Sequence, residues 1–389
     1  LNLNRPPKVV NTMIRSLKKF LSFILCLSIG SFTYAAANIV AVDENLAVDP
    51  AGAWDAAGAW NIVAWDPPFN YQGKMRPLLY QPINKASQAW HLCVTYPHLK
   101  DPYWLSVNYG MVEEVKRLGL NMTVLEAGGY PQLSTQIQQL KHCEKAGSDA
   151  LIVGTVSFNG LSPSIRRIAK TTPVVAAVND IANVGVSAKA GVSWYSMGQK
   201  VGQYLAQRHP TKGANEAKVA WFPGPKESGW VKFIDDGFHD AIAGSGVRVV
   251  AVKWGDTGKE IQRNLLQEVL EESSEFDYIV GTALTADAAV SELLNRNLRG
   301  KIEIISTYFT HNVFRGIKRG HILAAPTDSP VLQGRLAIDQ AVRILEGKLT
   351  ESHLSPRILM IDQQNVGQFN TENSLAPASF WPTFEVISD

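Results

Sequence analysis

Residues 91–129 read HLCVTYPHLKDPYWLSVNYGMVEEVKRLGLNMTVLEAGG. The stretch opens and closes on strand-like apolar runs, HLCVTY and NMTVLEA. Between them Leu105, Tyr109, Val112, Val115 and Leu118 recur every three or four residues, the spacing of one apolar helix face. A strand, a helix and a second strand in this order predict a βαβ unit. Asp101, Pro102, Tyr103 and Trp104 stand at its strand-to-helix junction, where small polar loop residues are usual. Two adjacent aromatics at that mouth need a physical reason.

The pattern repeats downstream. DALIVGTV and PVVAAVN continue the first series of strands, with helical runs over 103–118, 132–146 and 161–170. The strands are near-continuous apolar runs, as expected for a parallel sheet covered on both faces. A second series, KVAWFPG, RVVAVKWG, DYIVGTA and IEIISTY, follows with its own helices. The fold class predicted is α/β, with two doubly wound parallel-sheet lobes and a ligand cleft between them. The lobes are expected over 91–193 and 194–327, with a return to the first over 328–355 and to the second over 356–389. Chain crossings near Trp194, Asp328 and Pro356 would form the hinge. Residues 38–90, rich in Ala, Pro and Trp, lack the rhythm and are expected to be an irregular extension.

The chain has 389 residues, 46% hydrophobic and 19% charged, enough to bury a full core. Lys and Arg total 37 against 35 for Asp and Glu, and no block of like charge stands out. The basic footprint of a nucleic-acid binder is missing. From Met13, the basic MIRSLKKF, an apolar run over 20–29 and the small residues Ala35 and Ala37 form the pattern of a cleavable export signal. About ten apolar residues are too few to span a bilayer. Residues 1–12 then lie upstream of the expected start, and the mature protein is expected in the periplasm. Cys26 leaves with the signal. Cys93 and Cys143 remain, expected to pair as a disulfide in an oxidising compartment, the alternative being two buried thiols.

No G-x-G-x-x-G, P-loop, H-E-x-x-H or G-x-S-x-G motif occurs, and the eight His are not at metal-ligand spacing. Asp235–Asp236 and Glu271–Glu272 sit on charge-rich helix patterns and suit solvated faces. No catalytic residue, metal or cofactor is expected.

In open α/β sheets ligands bind outside the carboxyl ends of the strands. The residues just past those ends are Tyr103 and Trp104, Asn179 and Asp180, Trp194 and Tyr195, Tyr308, and Asp328. The expected ligand set is Tyr103, Trp104, Asp180, Trp194, Tyr195, Tyr308 and Asp328, mostly aromatic and without Arg. Trp221, Trp230 and Trp254 are expected to be packing residues.

DPYW after the first strand and GVSWYSMGQKVGQYL at a domain crossover resemble the type I periplasmic binding proteins, the ribose-binding group, over about 91–364. YPHLKDPYWLSVNYGM, VLEAGGYPQL, EIQRNLLQE, VGTA and RGIKRG resemble more narrowly the members that detect trimethylamine N-oxide together with the periplasmic sensor domain of a membrane histidine kinase. The resemblance implies a non-enzymatic sensor in a two-component system. The implied ligand suits the residue types. Its methyl-covered cationic nitrogen is attracted to aromatic faces by roughly 0.5–2 kcal/mol each, and its oxygen needs a Tyr or Trp donor. Tyr308 stands where sugar-binding relatives carry a ligand carboxylate.

Each residue has a structural alternative. Trp104 could plug a helix end, Trp194 and Tyr195 could be hinge packing, and Asp180 could cap a turn. The alternative functions are a transporter's binding protein for a sugar or similar small solute, and a periplasmic hydrolase.

Overall fold

The computed structural model describes residues 58–388 apart from 212, 214, 215, 227 and 274. The expected export segment and the first part of the extension lie outside the described residues. A hairpin, β1 (Trp60–Asp66) and β2 (Lys74–Tyr80), precedes the first βα series. That series runs β3 (His91–Tyr96), α1 (Pro102–Leu118), β4 (Asn121–Glu126), α2 (Leu133–Lys145), β5 (Ala150–Val153), α3 (Ser162–Ile168), β6 (Val174–Ala177) and β7 (Ala188–Ala190). The second series is α4 (Trp194–Arg208), β8 (Ala217–Gly224), α5 (Gly229–Ile242), β9 (Val247–Trp254), α6 (Lys259–Glu272), β10 (Tyr278–Gly281), α7 (Ala283–Asn295), β11 (Glu303–Ser306), α8 (His311–Lys318) and β12 (Ala324–Thr327). The chain ends with α9 (Pro330–Leu345), β13 (His353–Pro356), β14 (Leu359–Asp362) and β15 (Glu385–Val386).

Among the described residues these strands form two sheets. The first has the order β15-β4-β3-β5-β6-β7-β13-β1-β2 and the second β14-β12-β11-β10-β8-β9. In each βα series the chain steps from its first strand, β3 or β8, to a neighbour on one side, β4 or β9, and then winds the other way through parallel pairs. Antiparallel strands close both edges of the first sheet and the β14 edge of the second, whereas β9 closes the other edge in parallel.

Two parts of the chain depart from expectation. Residues 60–80 are a regular hairpin rather than an irregular extension. β1 pairs with β13 through Ile62, Val63 and Ala64, and with β2 along its whole length. Its partner in β13 lies almost 300 residues downstream, so no local rhythm announces it. Of the segment 356–389 expected with the second lobe, β14 does pair with β12 in the second sheet, but the last residues return to the first, where Val386 pairs with Met122 on β4.

Helix α1 also differs in detail. Leu105 and Tyr109 are only partly covered, whereas Trp104, Val107, Met111, Val115 and Leu118 are buried. The sheet covers one side of α1 and α9 the other, which blurs a single apolar face. The two helices touch backbone to backbone: a Cβ on Gly110 would lie 2.0 Å from the Val331 carbonyl oxygen. Helices α4 and α5 meet equally closely, since a Cβ on Gly198 would lie 2.0 Å from the Ile234 oxygen and one on Gly237 2.0 Å from the Tyr195 oxygen. That approach brings the first residues of α4 and α5 side by side, which matters below. Cys93 on β3 and Cys143 on α2 form a disulfide within the cluster of Leu140, Leu151 and Ile168. Among the described residues no helix is long and apolar enough to cross a membrane.

Candidate functional site

The carboxyl ends of both sheets face one small cavity. Asp101, Tyr103, Trp104, Tyr130 and Asn179 reach it from loops and helix starts of the first sheet, and Trp230, Thr257 and Tyr308 from the second. Trp194 lines it from the first turn of α4, just past the crossing between sheets. The free space is about 10 Å³, no more than one water needs. In this closed arrangement the side chains themselves fill the box, so a larger ligand enters only as the lobes part or the rings turn.

Local chemistry explains how α1 presents its aromatics. Asp101 caps the helix, its carboxylate accepting from the Tyr103 N–H at 2.9 Å, and Pro102 takes the first position, where no N–H is needed. The cap fixes where Tyr103 and Trp104 leave the backbone. Tyr103 stands nearly perpendicular to Tyr308, ring centroids 5.4 Å apart. Trp194 and Trp230 lie 4.9 Å apart, a consequence of the glycine contact between α4 and α5. Tyr130 and Tyr308 flank Trp230 at 6.0 and 6.2 Å.

The polar groups of the box are almost all engaged within the protein. The Tyr308 hydroxyl donates to Asp101 at 2.6 Å and the Tyr103 hydroxyl to Asp328 at 2.6 Å. Gln333 also donates to Asp328, at 2.7 Å. The Asn179 amide donates to the Tyr130 hydroxyl at 3.0 Å and to the Thr155 carbonyl at 2.8 Å. The Trp194 indole N–H donates to the Val178 carbonyl at 3.1 Å. On the lining itself the exception is Trp230, whose buried indole N–H has no partner among the described residues; behind it, Asp328 Oδ1 and Gln333 Oε1 also lack one.

Burial sets the electrostatics. It pushes the Asp101 carboxyl up to about 6, against the hydrogen bonds from Tyr308 and the Tyr103 backbone that favour the charged form. It raises Asp328 in the same direction. Burial also raises the Tyr103 and Tyr308 phenols well above their ordinary value, with Asp328 and Asp101 adding to the effect. Both tyrosines are therefore fixed as neutral donors. The segment before α1 carries further bridges to the second sheet's loops: His98 with Thr257 at 2.9 Å and Lys100 with Asp256 at 2.7 Å. Burial holds His98 down at about 4, so it is neutral near pH 7.

Of the side chains expected at the cleft, Tyr103, Trp104, Trp194 and Tyr308 meet at the box. Three do not line it. Asp328 stands behind Tyr103 as its acceptor. Asp180 turns away into a buried ion pair with Lys189 at 2.6 Å. Tyr195 points away from the box, its hydroxyl donating to Asp240 on α5 at 2.9 Å. Trp230, expected as packing, is a wall of the box, and Asp101, Tyr130, Asn179 and Thr257 complete it. The strand-end rule that pointed to Asn179 covers Tyr130 and Trp230 too, but each sits several residues past its strand. Among the described residues no three His, Cys, Asp or Glu side chains are grouped to hold a metal.

Residues 89–382 match the profile of the periplasmic binding proteins and sugar binding domain of the LacI family. The chain is similar to periplasmic protein TorT of Escherichia coli (strain K12), 43% identical over 302 residues, 77% of this chain and 86% of that protein. It is similar to the solved complex of the TorS sensor domain and TorT in the presence of trimethylamine N-oxide, abbreviated TMAO. There the identity is 41% and the TM-score 0.68, covering 76% of this chain and 99% of that one. It is also similar to an ABC transporter solute binding protein from Bradyrhizobium sp. BTAi1 with bound Bis-Tris. That identity is 46% and the TM-score 0.72, covering 83% of this chain and 97% of that one.

Proposed function

The chain belongs to the family of periplasmic binding proteins and LacI-type sugar binding domains, and from that premise we propose that it is a periplasmic sensor of trimethylamine N-oxide. In this reading it catalyses nothing and regulates the membrane sensor histidine kinase of a two-component system by docking on its periplasmic domain. We assign the ligand to the aromatic box, with residues 91–193 and 328–355 as the first lobe and 194–327 as the second.

The observation that carries the reading is the pairing of an aromatic enclosure with one unpartnered indole N–H, that of Trp230. A trialkylamine oxide asks for apolar, electron-rich walls around its methyl groups and one donor for its oxygen. A sugar asks for many free donors and acceptors. Here the carboxylates and the Asn179 amide already bond to protein groups. The similarity to TorT and to its complex with a sensor domain supports the same ligand and partner.

A second reading, a transporter's solute-binding protein for a small amine or sugar, is favoured by the 46% identity to the Bradyrhizobium protein. Titration calorimetry with trimethylamine N-oxide and with ribose, each with and without the kinase sensor domain, separates the two. Amine-oxide binding that changes when the sensor domain is added is expected. Tight ribose binding with no response to the amine oxide would overturn the proposal.

A further inference from the structure

The loop that carries Asn179 is strained, and what holds it comes from an unexpected part of the chain. Val178 has φ of 69°, in the left-handed region that a β-branched residue rarely adopts. Its carbonyl takes the Trp194 indole N–H, and Gly191 is needed beneath it, since a Cβ there would lie 2.9 Å from the Val178 oxygen. Two residues on, Lys189 grips the loop from behind. Its ammonium donates to the Asp180 carboxylate at 2.6 Å and to the Ile181 carbonyl at 2.8 Å. Lys189 is only 3% exposed, and burial pulls its pKa down against the pull of Asp180.

The rings over that ammonium are Phe69, at 6.0 Å, and Tyr71, at 5.8 Å. Both belong to the turn between β1 and β2, which precedes the family match at 89–382. The turn is seated specifically. The Phe69 N–H donates to His353 Nδ1 at 2.9 Å, Asn183 donates to the Phe69 carbonyl at 3.0 Å, and the Tyr71 ring meets His353 edge-on at 4.6 Å. Next to the turn the Trp65 indole donates to Ser355 at 2.7 Å. Ser355 in turn donates to the Gly191 carbonyl, at the crossing that leads to Trp194.

We propose that the N-terminal hairpin is a working part of the ligand box: Phe69 and Tyr71 cap Lys189, and Lys189 holds the strained 178–181 loop so that Asn179 and Trp194 keep their places. Lys189 is a positioning residue that touches no ligand. A buried ammonium without its aromatic cover draws in water, its hold on Asp180 weakens, and Val178 relaxes toward ordinary backbone angles. The inference deepens the proposed function and rests on the box being the ligand site.

The test uses the full chain. Lys189→Met removes the clamp outright but leaves Asp180 buried without its partner, so the informative variants are Phe69→Leu and Tyr71→Leu, with Tyr71→Phe as the conservative control. Calorimetry with trimethylamine N-oxide is expected to show binding weakened roughly two- to thirtyfold in the Leu variants, the scale on which residues off a site modulate it. Tyr71→Phe is expected to restore it. The ligand-free indole ¹⁵N–¹H resonance of Trp194, which reports its bond to Val178, is expected to move in the Leu variants and not in Tyr71→Phe. That second readout needs no ligand, so it tests the clamp even if wild-type protein does not bind the amine oxide. An unmoved Trp194 resonance in both Leu variants would overturn the inference, as would unchanged affinity in a protein that binds the ligand.

Discussion

The Tyr308 hydroxyl, just past a strand of the second sheet, donates at 2.6 Å to the Asp101 carboxylate that caps the first helix of the first sheet. One hydrogen bond thus joins a helix cap, two walls of the box and a bridge between the lobes. Lobe closure and helix α1 meet in it, so a ligand held in the box would be coupled to both. For a ligand of five heavy atoms that coupling matters, because about −1.5 kcal/mol per heavy atom caps its binding near −7.5 kcal/mol. Such a ligand shifts an open–closed equilibrium by only part of that.

Tyr308→Phe removes the donor and leaves one Asp101 oxygen without it. Losing a partner from a buried acceptor costs about 1–3 kcal/mol, and the penalty falls on the closed arrangement, since parting the lobes lets water reach the carboxylate. The variant is expected to have a larger radius of gyration by small-angle scattering and weaker amine-oxide binding. An unchanged radius and affinity would show that the bond does not hold the lobes together.

Asp101 also makes stability depend on pH. Its folded pKa is about 6, raised from 3.8 by burial, so the folded protein holds this proton more tightly than the unfolded chain. Its favourable contribution is full below pH 3.8 and is lost as pH rises to about 6, on the order of 3 kcal/mol in all. Asp101→Asn keeps a capping side chain and removes the titration. Urea melts of the two proteins should show the variant gaining on the wild type between pH 4 and 6 and a constant difference above. Parallel pH profiles would rule out Asp101 as the source.

Trp230→Phe keeps an aromatic wall and deletes the unpartnered N–H. If that donor meets the ligand's oxygen, binding of trimethylamine N-oxide should fall by about 0.5–1.5 kcal/mol, the net worth of a neutral hydrogen bond. Binding of tetramethylammonium, which has no acceptor, should hold. Equal loss for both probes would make Trp230 a wall and nothing more.

Gly154, one residue beyond β5, lies directly against Trp104: a Cβ there would be 2.5 Å from Trp104 Cη2 and 2.8 Å from Cζ3. Gly154→Ala therefore pushes the indole into a box with no room to spare. Overpacking of this kind costs about 1–3 kcal/mol of stability, and ligand affinity should fall with it. A variant with wild-type melting temperature and affinity would show that Trp104 is free to move aside.

Much of this was legible in the chain itself. Continuous apolar strands alternating with amphipathic helices permit few arrangements other than parallel sheets covered on both faces, and in such sheets the strand ends are where side chains converge. Tyr103, Trp104, Trp194 and Tyr308 follow from that rule, and Asp101–Pro102 marks the helix start by local chemistry alone. Both kinds of signal depend on near neighbours in the chain.

What needed the folded protein is direction and distant pairing. Asn179 and Asp180 are adjacent, yet one enters the box and the other turns to Lys189. Trp194 and Tyr195 likewise part, because successive helix residues point about 100° from each other. Trp230 is a wall only because Gly198 and Gly237 let α5 approach α4. The hairpin's place beside β13, and the cover its turn lays over Lys189, depend on residues almost 300 positions apart. Local spacing records which face of an element is apolar, whereas which side chain meets which is settled by packing between elements that the chain keeps far apart.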